Sequence, residues 1–186
     1  MSKAEELLAL LEKAEQDEQG LPPVHKWNPE RHDDIDMRIA RDGTWYYQGS
    51  PIERHRMVKL FSTILLREGD DYFLITPVEK LRIQVDDVPF VATGVERING
   101  DGPDKLVFTT NVDGHVVAGE KHPLRVETDP DSGEPSPYVH VRDNLEALIA
   151  RNVFYQLVDW ARQEERDGAT VLVVSSGGVD FELGRL

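Results

Sequence analysis

The sequence predicts an α+β protein of two small lobes, each a mostly antiparallel sheet with one main helix. Three observations carry this. Short strand-like runs, alternating from Ile35 and continuous in stretches such as "YFLITP", are broken by Gly, Pro, Asn and Asp turns along most of the chain. Two longer stretches switch to helical spacing. The order of strand, break, helix, charged turn and strands in the first half returns in the second, which suggests an internal structural repeat. The 186 residues suffice for two small domains, and a 39% hydrophobic content is ordinary for a globular chain.

From the start, Leu7, Leu8, Leu10, Leu11 and Ala14 recur at helical spacing behind Ser2, a capping residue, and predict an amphipathic helix ending before Gly20. "LPPVHKWNPERHDD" reads as an irregular arm, because its prolines remove backbone donors; Leu21, Val24 and Trp27 would pin it. Ile35, Met37 and Ile39 alternate with Asp36, Arg38 and Ala40, "RDG" turns, and "TWYYQG" returns as the second strand of a hairpin. "SPIERHRMVKLFSTILLREG" predicts a helix with Met57, Val58, Phe61, Ile64 and Leu65 inward. Ser50 and Glu53 have capping-box spacing there, and Pro51 falls at the first helical position. "YFLITP", "LRIQV" and "FVATGVERI" predict strands.

In the second half "KLVFTTN", "HVVAG", "LRVET" and "YVHVR" predict strands, with "NVDG", "GEKHP" and "DPDSGEPSP" as turns and loop. "NLEALIARNVFYQLVDWARQEE" predicts the longest helix, burying Leu145, Leu148, Ile149, Val153, Leu157 and Trp160. "ATVLVVSSGG" and "VDFELG" close the chain as a hairpin. Written over one another, the two helices put Val58 against Phe154, Phe61 against Leu157 and Leu65 against Ala161. The identity is weak, and two unrelated amphipathic helices would align about as well. The domain organisation expected is 1–21 as helix and linker, 22–88 as an N-terminal α+β domain, and 89–186 as a C-terminal one.

Charge and composition exclude several functions. Lys plus Arg gives 21 against 35 for Asp plus Glu, a formal net charge of −14, so the overall field repels nucleic acid and anionic membranes. With no cysteine there is no disulfide, thiolate catalyst or Cys-based zinc site. The first residues show neither a signal-peptide pattern nor a membrane span, so a cytoplasmic location is expected. The 6 histidines never fall as H-x-H or H-E-x-x-H, and "HDDID" and "DPDSGE" lack a full ligand pattern, so neither metal nor cofactor is expected. No nucleophile elbow, P-loop or dinucleotide fingerprint is present.

"RDGTWYYQGSPI", "LFSTILLRE", "TPVEKLRIQVDDVPF", "FTTNVD", "PYVHVRDNLEALIARNVFY" and "SSGGVDFELG", in that order, resemble the bacterial proteins grouped as domain of unknown function 1285. The resemblance runs from about Pro22 to Leu186. It implies two α+β domains with related motifs, a cleft between them, and binding of a small, nucleotide-like ligand in signal transduction. No reaction is established for the family, so no catalytic residue carries over.

The residues themselves offer one candidate anion site. Arg54, His55 and Arg56 sit where a helix begins, and cations there oppose the helix dipole unless a negative group is near. Either surplus acids such as Glu53, Asp36 or Glu68 pair with them, or they receive a phosphate or carboxylate together with free helix amides. Trp45 or Tyr47, just upstream, could stack on a base, although such rings more often pack in a core. Arg142 and Arg151 hold the matching place in the second half, and Thr76, Glu79 and Lys80 in "TPVEK" are polar groups at a strand end. The reading favoured is therefore a non-enzymatic protein that binds a small anionic, nucleotide-like ligand in the cleft between its two lobes. The alternatives are a hydrolase of phosphorylated substrates using Glu79, Asp87 or His140, and an interaction module docking through the N-terminal leucine helix.

Overall fold

The computed structural model describes residues 2–13 and 20–186. The chain divides into two compact units, Met1–Asp87 and Val88–Leu186, each mostly antiparallel sheet with a principal helix.

In the first unit α1 (Lys3–Glu12) starts at Ser2, whose hydroxyl accepts the Glu5 amide at 3.2 Å. It packs Ala4, Leu7 and Leu11 inward and lies on α2 (His55–Ser62). The apolar face of this helix, one alternative for docking a partner, packs within the unit, while Leu10 is exposed; Ala14 lies outside the described residues. A short 3₁₀ turn, Val24–Lys26, buries Val24 in the arm. The strands are β1 (Arg31–Ile39), β2 (Trp45–Tyr47), β3 (Ser50–Pro51), β4 (Leu65–Glu68), β5 (Asp71–Ile75) and β6 (Glu79–Val85). They form one sheet in the order β3-β2-β1-β6-β5-β4, antiparallel except where β1 meets β6.

Three expectations are corrected here. Ser50 and Pro51 do not open the helix: they pair with Tyr47 and Tyr46 as an edge strand, where a proline's missing N–H costs no ladder bond. The helix begins at His55 with Arg54 in the capping position and no side chain capping it. It also stops at Ser62, because Leu65 onward pairs with β5. The arm likewise ends early, since Arg31 to Asp34 already run beside β6. Trp45 and Phe61 are both about fully buried, with ring centroids 6.3 Å apart, and anchor the core. Truncating Phe61 to alanine would cost ~3–5 kcal/mol.

The second unit contains β7 (Phe90–Gly100), β8 (Gly102–Thr110), β9 (His115–Val117), β10 (Leu124–Thr128), β11 (Pro135–Arg142), β12 (Leu145–Ile149), α3 (Arg151–Trp160), β13 (Arg162–Arg166), β14 (Ala169–Ser176) and β15 (Val179–Arg185). One sheet has the order β10-β11-β12-β7-β8-β9, and a second is β13-β14-β15. The long helix expected from Asn144 is corrected to α3 alone. Leu145, Leu148 and Ile149 belong to β12, between β11 and β7, and Asp143 and Asn144 make the hairpin turn before it, with Asp143 at φ 50°. In a five-residue apolar run the two periods cannot be told apart, and the turn decides.

The order of elements recurs. In the first unit β3-β2-β1 meets β6-β5-β4, with α2 joining β3 to β4. In the second, β12-β11-β10 and β15-β14-β13 follow the same scheme, with α3 joining β12 to β13. The difference is at the seam: β1 and β6 share a parallel ladder, whereas β10 and β15 run close without one. The second unit instead extends its sheet from β12 through β7, β8 and β9.

Candidate functional site

The amino ends of α1 and α2 open on one cavity of the first unit, about 360 Å³ in volume. Its wall includes Ser2, Ala4 and Glu5 from the start of α1, Tyr47 from β2, and Arg54 and Met57 from α2. Glu53 also lines it. The position of Arg54 follows from the chain: β3 ends at Pro51, three residues lead to the helix, and Arg54 is the residue at its uncapped amino end. No acid occupies the first turn of α2, so its dipole is not offset by its own sequence. Tyr47 is half-buried, pairs with Met37 and Ser50, and leaves part of its ring for the cavity.

The remaining candidates are placed as follows. His55 is exposed at the start of α2. Arg56 is 78% exposed and stands 3.5 Å from Glu12 of α1, a surface pair worth little. Trp45 is spent on the core and offers no face for stacking. Glu79 is buried and bonded by Lys3 of α1, with Arg31 at 3.8 Å from its second oxygen. That pairing tethers α1 to the sheet. Lys80 donates to Glu68 at 2.6 Å and lies 4.4 Å over the Phe73 ring. Thr76 is buried, and its hydroxyl accepts the Glu79 amide at 3.1 Å, closing the "TPVE" turn. Asp87 pairs with Arg41 at 3.3 Å.

In the second unit Arg142 lies 5.4 Å over Phe90, and Arg151 donates to Glu134 at 2.6 Å. Asn111 accepts the Val91 amide at 3.0 Å and so ties the turn after β8 to β7. Asp129 receives the amides of Asp131 and Ser132 at 2.8 and 2.9 Å, which makes "DPDSGE" a hydrogen-bonded turn. His140 contacts His122, a pairing that no sequence spacing indicated.

Two family models divide the chain as its contacts do. The N-terminal domain of domain of unknown function 1285 matches residues 22–88, and the C-terminal domain matches residues 89–183. The chain belongs to the DUF1285 family. A crystal structure of a DUF1285 family protein from Silicibacter pomeroyi DSS-3 is 52% identical, covers 97% of this chain and 95% of its own, and superposes with a TM-score of 0.83. Another, from Shewanella baltica OS155, is 29% identical over 66% of this chain and 90% of its own, with a TM-score of 0.52. Among curated proteins none matches.

For this DUF1285 protein, then, the sequence located Arg54 and Tyr47 but not what joins them. Ser2, Ala4 and Glu5 are far away in the chain, and only the packing of α1 on α2 brings them to the cavity. The nearest signal was the Ser2 cap, which fixes where the α1 amino end falls.

Proposed function

We propose that this protein binds a small anionic ligand, with nucleotide-like molecules the leading candidates, in the cavity lined by Tyr47 and Arg54. The observation that carries the reading is the meeting of two helix amino ends with Arg54 on one cavity wall. The α2 end offers uncapped first-turn amides and Arg54 adds a planar charged donor, while at the α1 end the Ser2 hydroxyl already accepts the Glu5 amide. Tyr47 supplies an aromatic face for stacking. At about 360 Å³ the space lies at the small end of ligand pockets, which run from roughly 300 Å³ upward. Glu5 and Glu53 on the rim disfavour additional negative charge, so the ligand presents one anionic group inward and neutral donors to these carboxylates.

A role in signalling and a bacterial cytoplasmic setting accompany this reading. The absence of cysteine fits a reducing compartment. Among the described residues no helix is long and apolar enough to cross a membrane. The test is a calorimetric titration of the full chain with mononucleotides, cyclic dinucleotides and sugar phosphates, repeated on Arg54→Ala and Tyr47→Ala. Saturable binding by one of them, weakened about tenfold or more in Arg54→Ala while unliganded stability is kept, supports the site. Binding that is equal in both variants and the parent rejects it.

A further inference from the structure

His122 and His140 of the second unit face each other with Nδ1 atoms 3.1 Å apart and ring centroids 5.2 Å apart. His122 stands in the turn before β10, closed by the Gly119 amide on the His122 carbonyl at 3.1 Å. His140 is on β11, its amide bonded to the Pro123 carbonyl at 3.0 Å. Both side chains are half-buried, so a small solute reaches them while the rings are held. A bulge between His140 and Arg142 and the left-handed Asp143, φ 50°, bring the Asp143 carbonyl oxygen 2.6 Å from His140 Nε2.

These contacts fix the protons. A carbonyl oxygen only accepts, so His140 Nε2 carries hydrogen, and with one proton on each ring the His140 Nδ1 lone pair faces His122. His122 must then donate from its own Nδ1. An imidazole anchored through one N–H to a backbone carbonyl, with its other lone pair aimed at a second imidazole, is the arrangement that orients histidine for metal ligation. Two imidazole nitrogens about 2.0–2.1 Å from a tetrahedral ion stand about 3.3 Å apart, close to the separation here.

We propose that His122 and His140 form an exchangeable site for a late first-row divalent ion such as zinc, which takes the place of the proton the two Nδ1 atoms share. His140 keeps its Nε2 proton. His122 gives its Nδ1 proton to water and takes one from water at Nε2, so both rings stay neutral and the proton count is unchanged. Among the described residues no third histidine or carboxylate completes a cluster, so water fills the remaining positions. The site is weaker than a four-ligand structural one, and imidazole donors select zinc, nickel or copper over magnesium.

The test is a zinc titration of the full chain near pH 7.5, read by calorimetry and by NMR of the imidazole nitrogens, with magnesium as the control ion. The expected result is one-to-one binding, a switch of His122 from the Nδ1–H to the Nε2–H form, and affinity at least about tenfold lower in His122→Phe and His140→Phe. The nitrogen spectra of the unaltered protein decide the matter even where a variant folds poorly. No saturable binding, an equal response to magnesium, or unmoved His122 and His140 nitrogens would overturn the proposal.

Discussion

The Ser176 hydroxyl, fully buried, donates to the Ala118 carbonyl at 2.7 Å and at the same time accepts the Leu106 amide at 2.8 Å. One side chain from the end of β14 thereby satisfies main-chain groups of β8 and of the residue following β9. Removing the hydroxyl strands both in the interior, where an unmet polar group costs ~1–3 kcal/mol. Ser176→Ala should therefore lower unfolding free energy by about that amount, measured by urea denaturation. A change below a few tenths would mean water replaces the hydroxyl.

Lys3 and Glu79 make a second checkable pair. The Glu79 side chain is 7% exposed and that of Lys3 29%, so Lys3→Ala leaves a mostly buried carboxylate with only the more distant Arg31. Breaking a buried pair from one side can cost ~3–5 kcal/mol, and the partial exposure of Lys3 reduces this to about 1–3. Thermal denaturation of Lys3→Ala, Glu79→Leu and the double variant tests it. The double variant should recover much of the loss from Lys3→Ala; a purely additive loss would show that the pair is not coupled.

Four carboxyl groups are held below their ordinary pKa in the folded protein, and each contributes to the acid response. The Thr44 amide holds Asp42 below its ordinary value of 3.8, and the Ser132 and Asp131 amides do the same for Asp129. Arg162, then Arg166, lowers Glu164 from 4.5, and the Ser175 hydroxyl, then Arg162, lowers Asp180 from 3.8. A folded-state pKa below the unfolded one stabilises fully above the unfolded value and is lost as pH falls through the folded value. Melting temperature should thus be little affected by these groups above about pH 5 and should fall below about pH 4. A melting temperature that holds or rises from pH 4 to pH 2.5 would contradict this.

The "SSGG" turn gives a backbone prediction. Gly177 has φ +59°, and a Cβ there would meet the Ala118 carbonyl oxygen at 3.3 Å, whereas Gly133, φ +75°, faces open space. Both replacements by alanine strain the backbone by ~1 kcal/mol, and Gly177→Ala adds a close main-chain contact. Gly177→Ala should be the more destabilised of the two in urea; the reverse order would mean the β14–β15 turn shifts freely.

Most of the strands were legible because Ile35, Met37 and Ile39 alternate with polar residues, and because short apolar runs such as Tyr72 to Ile75 are bounded by turn residues. Leu145 to Ile149 was misread because a short apolar run fits either period, and the decisive signal was the Asp143 turn. Ser50 and Pro51 imitated a capping box while serving as an edge strand. At the candidate site, Arg54 and Tyr47 were visible as residue types, but the contribution of α1 depends on its packing against α2. The His122–His140 contact depends on strand pairing across 18 positions, which no local spacing encodes.

The most direct test of the ligand site is thermal denaturation of the full chain with and without mononucleotides, cyclic dinucleotides and inorganic phosphate, run in parallel on Arg54→Ala. A rise of several degrees with one of these, absent in Arg54→Ala although its unliganded melting temperature matches the parent, is the predicted result. No rise with any of them, or a rise that Arg54→Ala retains in full, would contradict an anion site at the amino ends of α1 and α2.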